Sequence, residues 1–562
     1  MRIRALFLAI SLAATTFVAS APSAHADQNP WVQLSTVPSS INPGIMFLLT
    51  NGNVLVQDQG QNQSGSSDWW ILSPDKHGDY ASGSWKQTGS MPAGYKPLYA
   101  GSSVLPDGRV IVEGGELNGS SDWVGQNLGA IYDPVSGTWS VVTPPKNGQG
   151  EFASIADAPS TLLADGRFMF GPSGNGDRGA PNQKQQAILD PKTLTWTVTG
   201  TGMAGANPEA GFTLLNNDKV LLIDTVKEML HSAELFDPAT GKWSPTGSIP
   251  NSLLDPATAG GSDIAEIGAA ITLPSGLVFA EGSNKNTDIY DPVSNSWTAG
   301  PDFPVVNGKQ TAAEDAGVAV LNNGNVLLDV SPTLNGELST PASFYIYDGK
   351  NFQNVPAPFD QSNGQSNDGY FLRLPNGQIL MCERLGPESM YLYNDTSVAN
   401  PSWLPAIDSV PTELVVGTSY TLSGKQLSGL TQGSEFGDDW NNQTNYPLIQ
   451  ITNKTTGNVS YANAVNVTST SIAPGTPSSV TFTLPAGIDD GSATLRVVAS
   501  GFASSPTPVT ISGGTPLPVV AAASVAKAST ASTAAKFITC KKGSVVKKFT
   551  TAKCPSGYVL KK

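Results

Sequence analysis

A turn tetrapeptide set between two short apolar runs recurs seven times in this chain, at spacings of 48 to 58 residues, and this repeat limits its folding more than any other feature. The turns are TNGN (Gly52), PDGR (Gly108), ADGR (Gly166), NNDK (Asp218), PSGL (Gly276), NNGN (Gly324) and PNGQ (Gly377). Their flanks VLVQ, RVIV, RFMF, KVLLI, LVFA, NVLLD and QILM are rich in β-branched and aromatic residues, which suit half-buried strands, while Gly, Asn or Asp supplies the turn conformation. A second signature follows most turns: AIYDPVSGTW (Trp139), AILDPKTLTW (Trp196), AELFDPATGKW (Trp243) and TDIYDPVSNSW (Trp297), with weaker forms at YIYDGKNF (Phe352) and YLYND (Asp395). The Asp-Pro step ends one strand because proline lacks a ladder donor, and the Trp opens the next with a large packing face. Each repeat therefore predicts four strands, and a fixed period of this size predicts an all-β chain with radial repetition.

The LPDGRV, Gly-Gly, YDP and W elements resemble the bacterial kelch repeats of the galactose-oxidase-like propellers. The resemblance runs from about Trp31 to Trp403 and implies a seven-bladed kelch-type β-propeller. It does not fix an activity, since one fold hosts many. Trp31 to Pro43 supplies a strand that either precedes blade one or closes the ring from blade seven.

The remaining organisation follows from composition. Residues 1–26 read as a secretory signal peptide, with MRIR, an apolar run from Ala5 to Ala19 and an Ala24-His25-Ala26 cleavage site, so the expected location is secreted, with association at the cell surface. Residues 27–404 are assigned to the propeller. Residues 405–514 lose the blade signature and carry alternating strands, predicting an immunoglobulin-like β-sandwich; the stretch Leu422 to Pro447 resembles the sandwich that follows the propeller in secreted bacterial kelch proteins. Residues 515–533 form a flexible linker of Ala, Ser, Thr, Pro and Val, and 534–562 a short Lys-rich tail. Cys540 and Cys554 are expected to close a disulfide there, and Cys382, in QILMCER, reads as a core thiol.

Charge divides unevenly. From Thr515 onward there are nine Lys and no acidic residue, leaving 22 basic against 45 acidic residues before it. The acidic body disfavours nucleic acid as a partner, while the tail suits an anionic cell-wall polymer or lipid.

For chemistry, the resemblance implies a copper radical centre built from two histidines and two tyrosines, one crosslinked to a cysteine. The chain has three histidines, of which His25 leaves with the signal peptide, His77 falls in a blade-one turn and His231 opens an outer strand of blade four. The Tyr-His ligand pair of that group corresponds to Asn367 and Asp368 here, and copper is not expected. Nine residues before the turn markers stand Pro43, Tyr99, Asp157, Glu209, Ile267, Asp315 and Asp368, with Glu266 one place earlier in blade five. Asp157, Glu209, Glu266, Asp315 and Asp368 are thus expected to ring the channel mouth, where like charges need a partner and calcium would satisfy several at once; the structural alternative is that each closes the ring through backbone bonds. A turn or a calcium site accounts for Asp438 and Asp439 in GDDWNNQTNYP. No Ser-His-Asp, Cys-His or phosphate-loop pattern is present. Trp69, Trp70, Tyr99 and Trp123 suit stacking on sugars. The function expected is a non-enzymatic exported protein that recognises a glycan or an envelope protein at its loop face, against the alternative of a carboxylate-based or cation-assisted enzyme acting on polysaccharide.

Overall fold

The computed structural model describes residues 29–561 except 61, 121, 123, 148–149, 157, 172–183, 200–209, 226–229, 255–265, 335–336, 359–363, 385, 387, 434, 437–439, 442–443, 517–537 and 550–552. The expected signal peptide with its Ala24-His25-Ala26 site, Trp123, Asp157, Glu209, Asp438 and Asp439, and the expected linker from Leu517 onward lie outside the described residues.

All seven turn markers fall between the innermost and second strands of antiparallel sheets, which are four-stranded in six blades and six-stranded in blade six, where the short strands Thr311–Ala312 and Glu337–Leu338 are added. Six carry glycine at φ between 81° and 88°, and the seventh, Asp218, adopts φ 64°; Asn and Asp are the residues that tolerate this left-handed turn best after glycine. The innermost strands of blades one to seven are Pro43–Leu48, Gly101–Val104, Ser160–Leu162, Phe212–Leu214, Ala270–Thr272, Val318–Val320 and Gly369–Arg373. They neighbour one another in that order, with Gly369–Arg373 returning to Pro43–Leu48, while blades five and six join through Ala269 N–H to the Ala316 carbonyl at 3.1 Å. The repeat therefore closes into a ring, and each blade buries both faces against its neighbours.

The third-strand signature explains itself once the bonds are seen. Asp133, Asp190, Asp237 and Asp291 each accept from the backbone N–H two residues on, at 2.8 to 2.9 Å. Blade one's divergent SPDKHG makes the same turn through Asp75, which accepts from His77 N–H at 2.8 Å. The outer-strand tryptophans reach back to the preceding blade: Trp196 Nε1 donates to the Thr143 carbonyl at 2.7 Å, Trp243 to Gln186 Oε1 at 2.8 Å and Trp297 to Thr246 Oγ1 at 3.0 Å.

That rule resolves the N-terminal strand. Trp31–Gln33 pairs with Met390–Tyr393 as the outermost strand of blade seven. Trp31 sits opposite Tyr393, as Trp139 sits opposite Tyr132 in blade two, and its Nε1 donates to the Pro356 carbonyl at the end of blade six at 2.8 Å. Trp31 is the tryptophan that blade seven lacks, so the two ends of the propeller are tied together in one sheet.

Residues after Trp403 form a nine-stranded sheet that folds over on itself at Val459–Val465, where the first half of the strand pairs with Leu448–Asn453 and the second with Pro477–Thr483. Leu422, Val480 and Phe482 from one layer meet Ile449, Leu495 and Val509 from the other in a common core. This sandwich and the propeller make one compact unit ending at Pro516. It seats on the turn ends of the blades: Val459 N–H donates to the Lys76 carbonyl at 2.8 Å, Val467 to Pro106 at 3.1 Å and Thr470 to Ala164 at 3.0 Å.

From the sandwich, a segment enters the propeller axis. Gln432, fully buried, donates from Nε2 to Thr161 Oγ1 at 2.6 Å and accepts from Leu214 N–H, both on innermost strands. The backbone of Glu435–Phe436 lies beside the innermost strands of blades three and four. The sandwich thus reaches the innermost strands of blades three and four, and the loop side is the end left to carry a site.

The second unit, Leu517–Lys562, contains a three-stranded sheet and the Cys540–Cys554 disulfide, as expected.

Candidate functional site

Two sets of residues meet at the loop side: those just before each innermost strand and those at the end of each second strand, because the two strands are antiparallel. Tyr99, before blade two, is held at φ 59°, a left-handed conformation that costs a bulky residue free energy and persists only where its surroundings enforce it. Arg384, directly after blade seven's second strand, does the enforcing. Its Nη1 donates to the Tyr99 hydroxyl at 2.7 Å and its Nη2 to the Asn367 carbonyl at 2.6 Å. The guanidinium lies 5.5 Å from the ring centroids of both Tyr99 and Tyr370, a cation-π arrangement on two sides, and its Nε stands 3.9 Å from Asp368 Oδ1.

Asp368 closes its own short helical turn. Its Oδ2 accepts from Gln365 N–H at 3.0 Å, and its carbonyl accepts from Arg384 N–H at 3.0 Å. Asp315, buried and at φ 47°, and Glu266, half-buried, occupy the corresponding places of blades six and five. Among the described residues no three His, Cys, Asp or Glu side chains gather into a group able to hold a metal ion. Glu266, Asp315 and Asp368 thus make no such group by themselves, and the other two acids of the expected ring, Asp157 and Glu209, lie outside the described residues; Asp368 bonds in a local cap and stands beside Arg384.

A second set of acids sits deeper, at the ends of the second strands: Glu113, Glu281, Asp329 and Glu383 are all buried. Burial pushes the Glu113 carboxyl well above the usual range. Burial, and then the neighbouring Asp329, do the same to Glu281. For Asp329 the causes are burial first, then Glu383 and, more weakly, Asp368. These groups hold protons where an exposed carboxylate would not. Glycine makes room for them: a Cβ at Gly369 would lie 2.9 Å from Asp329 Oδ2, and one at Gly129 would lie 1.7 Å from Glu113 Oε2. The line Glu281, Asp329, Glu383, Asp368 thus runs through blades five, six and seven and ends at Arg384.

Sequence reasoning missed Arg384 and this inner layer. The signal existed: Gln57, Glu113, Glu281 and Asp329 each stand five residues after a turn marker, and Asp224 and Glu383 six, in runs otherwise apolar. An acid at the end of VIVE, VFAE or ILMCE is buried together with its neighbours, because these second strands are covered on both faces.

The aromatic residues divide. Trp69 has no exposed surface and packs 5.0 Å from Trp139 and 6.1 Å from Phe47 in the core between blades one and two, so it has no face to offer a sugar. Trp70 is half-buried against the same core. Among the described residues of the expected set, Tyr99 stands at the mouth, with its ring already paired on one side by Arg384.

His77 N–H and its turn belong to the sandwich-facing end of blade one, where Asn376 Nδ2 donates to the Gly78 carbonyl at 3.4 Å. The His231 ring bonds through Nδ1 to the Ile249 carbonyl at 2.8 Å in blade four. The two histidines lie on different blades, and Asn367 offers its carbonyl to Arg384. Cys382 is buried with its Sγ 3.2 Å from the Pro43 carbonyl, and burial pushes its thiol far up.

No protein-family model matches the chain, and no curated protein matches it. Among solved structures the chain is similar to a novel fungal alcohol oxidase of the AA5 family in complex with copper, at 14% identity and a TM-score of 0.45, over 86% of this chain and 99% of that one.

Proposed function

We propose that this protein is a non-enzymatic binding protein of the cell envelope, whose loop face takes a hydroxyl-rich glycan at the mouth formed by Tyr99, Arg384, Asn367 and Asp368. The observation that carries this reading is the Tyr99 phenol fixed by Arg384 at a positive φ: a rigid aromatic edge beside a guanidinium and a carboxylate is the chemistry that reads a sugar, with the ring covering C–H faces and the charged groups bonding hydroxyls. The glycine-rich loop that follows the second strand of blade two starts on this side of the ring at Gly114 and Gly115, where binding residues commonly sit on a rigid scaffold.

The test is a glycan array followed by calorimetric titration of the best ligand. Tyr99→Ala and Arg384→Gln are expected to weaken binding by about 10- to 100-fold, equivalent to roughly 1.4–2.8 kcal/mol. Binding left intact by both substitutions would overturn the assignment. The second reading is a carboxylate-based enzyme acting on polysaccharide, favoured by the proton-holding Glu281 and Asp329; turnover of a polysaccharide that disappears in Asp368→Asn and Asp329→Asn would establish it instead.

A further inference from the structure

The C-terminal sheet has the strand order Val545–Phe549, Ile538–Lys542, Val559–Leu560, and its pairing register sorts its side chains onto two faces. Cys540, opposite Lys547 and Leu560, is buried on one face, which carries the bridge to Cys554. The other face holds Lys541 between Val546 and Val559, its direct partners on either side. The next row continues the register: Thr539 stands opposite Lys548 and takes a bond from Lys561 N–H at 2.8 Å. Val546 is 45% and Val559 60% exposed, and Lys541, Lys548 and Lys561 are exposed as well.

We propose that this Val-Lys-Val face docks on an anionic lipid bilayer, with the two valines entering the interface and the three lysines at phosphate headgroups. Two features select a bilayer over an anionic polymer. A polyphosphate chain needs only the lysines, whereas two exposed valines flanking the central lysine on one face of a three-stranded sheet match an interface that is apolar just below its charges. Lysine stems also lie along apolar surface while their heads stay at the phosphates. The charge balance adds a directional argument. The chain as a whole carries −14, so it is repelled by an anionic surface unless this acid-free end makes the contact. The inference is independent of the loop-face reading.

The experiment is co-sedimentation of the full chain with vesicles of phosphatidylcholine alone or mixed with phosphatidylglycerol. Partitioning is expected only to the mixed vesicles and is expected to weaken as salt shortens the screening length. The pair Lys541→Ala, Lys548→Ala should reduce it by about 30-fold, taking roughly fivefold per lysine. Lys541→Arg, Lys548→Arg should retain it, which separates charge from misfolding. The pair Val546→Ser, Val559→Ser should reduce it by about tenfold. Equal sedimentation with neutral and anionic vesicles, or none with either, overturns the proposal. So does full binding by the valine variant together with displacement by soluble poly(glycerol phosphate), which would make the partner a polymer.

Discussion

Gln432 of the sandwich donates to the Thr161 hydroxyl of blade three at 2.6 Å while accepting from the backbone of Leu214 in blade four. One amide thereby joins two innermost strands to a segment that belongs to neither blade. Gln432→Leu keeps the volume but orphans both groups in the axis, so it should destabilise the unit by about 2–4 kcal/mol. The measurement is the urea midpoint followed by tryptophan fluorescence; an unchanged midpoint would mean that the axial segment adds nothing to ring stability.

Arg373 and Asp395 make a buried pair at 3.2 Å, with side chains only 5% and 2% exposed, and Arg373 also stacks 5.8 Å from the Phe502 ring of the sandwich. Asp395→Ala leaves a guanidinium buried without its counter-charge and should cost about 3–5 kcal/mol. The double variant Arg373→Met, Asp395→Ala should recover much of that loss, because no charge remains to be desolvated. Calorimetric melting of the two variants side by side checks both expectations; a double variant no more stable than the single one would refute the argument.

The ring was legible because its signals are local. A turn needing positive φ, an Asp bonding two residues ahead and a Trp opening an outer strand each act within a few positions, so they survive in the sequence as a period. Ring closure was legible only in part: Trp31 lies 362 positions from its partner Tyr393, and nothing local distinguishes it from a leading strand until its Nε1 bond is compared with those of Trp196, Trp243 and Trp297. The site was less legible still. The register before the innermost strands placed Tyr99 and Asp368 at one end of the ring, yet it treated five acids as equivalent when Asp368 caps its own turn. Arg384 escaped attention because a charge directly after a strand ordinarily reads as solvent-facing, and only the approach of blades one, two and seven buries it against Tyr99.

Glu113 and Gly129 are cross-strand partners in blade two, and the carboxylate occupies the space where a side chain at 129 would begin. Gly129→Ala should therefore cost about 1–3 kcal/mol through overpacking. Adding Glu113→Ala opens that space and removes a buried acid, so the double variant should be more stable than Gly129→Ala alone. A denaturation cycle over the four chains gives the coupling directly; additive losses would show that the two residues do not compete for one volume.

The inner acids make alkaline pH a destabilising condition. Asp288, in blade five's third strand and without exposed surface, has its carboxyl pushed from 3.8 up to about 7, by burial against an opposing backbone bond from Asn251. Below 3.8 the folded and unfolded chains both hold this proton, and the group contributes nothing to the pH dependence. Between 3.8 and about 7 the unfolded chain has released it and the folded chain has not, so stability falls by up to roughly 1.4 kcal/mol per pH unit. Above about 7 both have released it and the loss levels off. Glu113, Glu281 and Asp329 shift in the same direction and add to the loss above the ordinary carboxylate range. Asp291 and Asp348 shift the opposite way through their turn hydrogen bonds, so their contribution is lost only as pH falls below the ordinary carboxylate range. The Tm should accordingly decline from mildly acidic to alkaline pH. Asp288→Asn should flatten that slope between about pH 4 and 7 and leave the variant more stable than the wild type at about pH 8. Melting curves across this range decide the matter: a wild-type Tm that rises with pH, or an Asp288→Asn slope equal to that of the wild type, would show that Asp288 does not keep its proton in the folded protein.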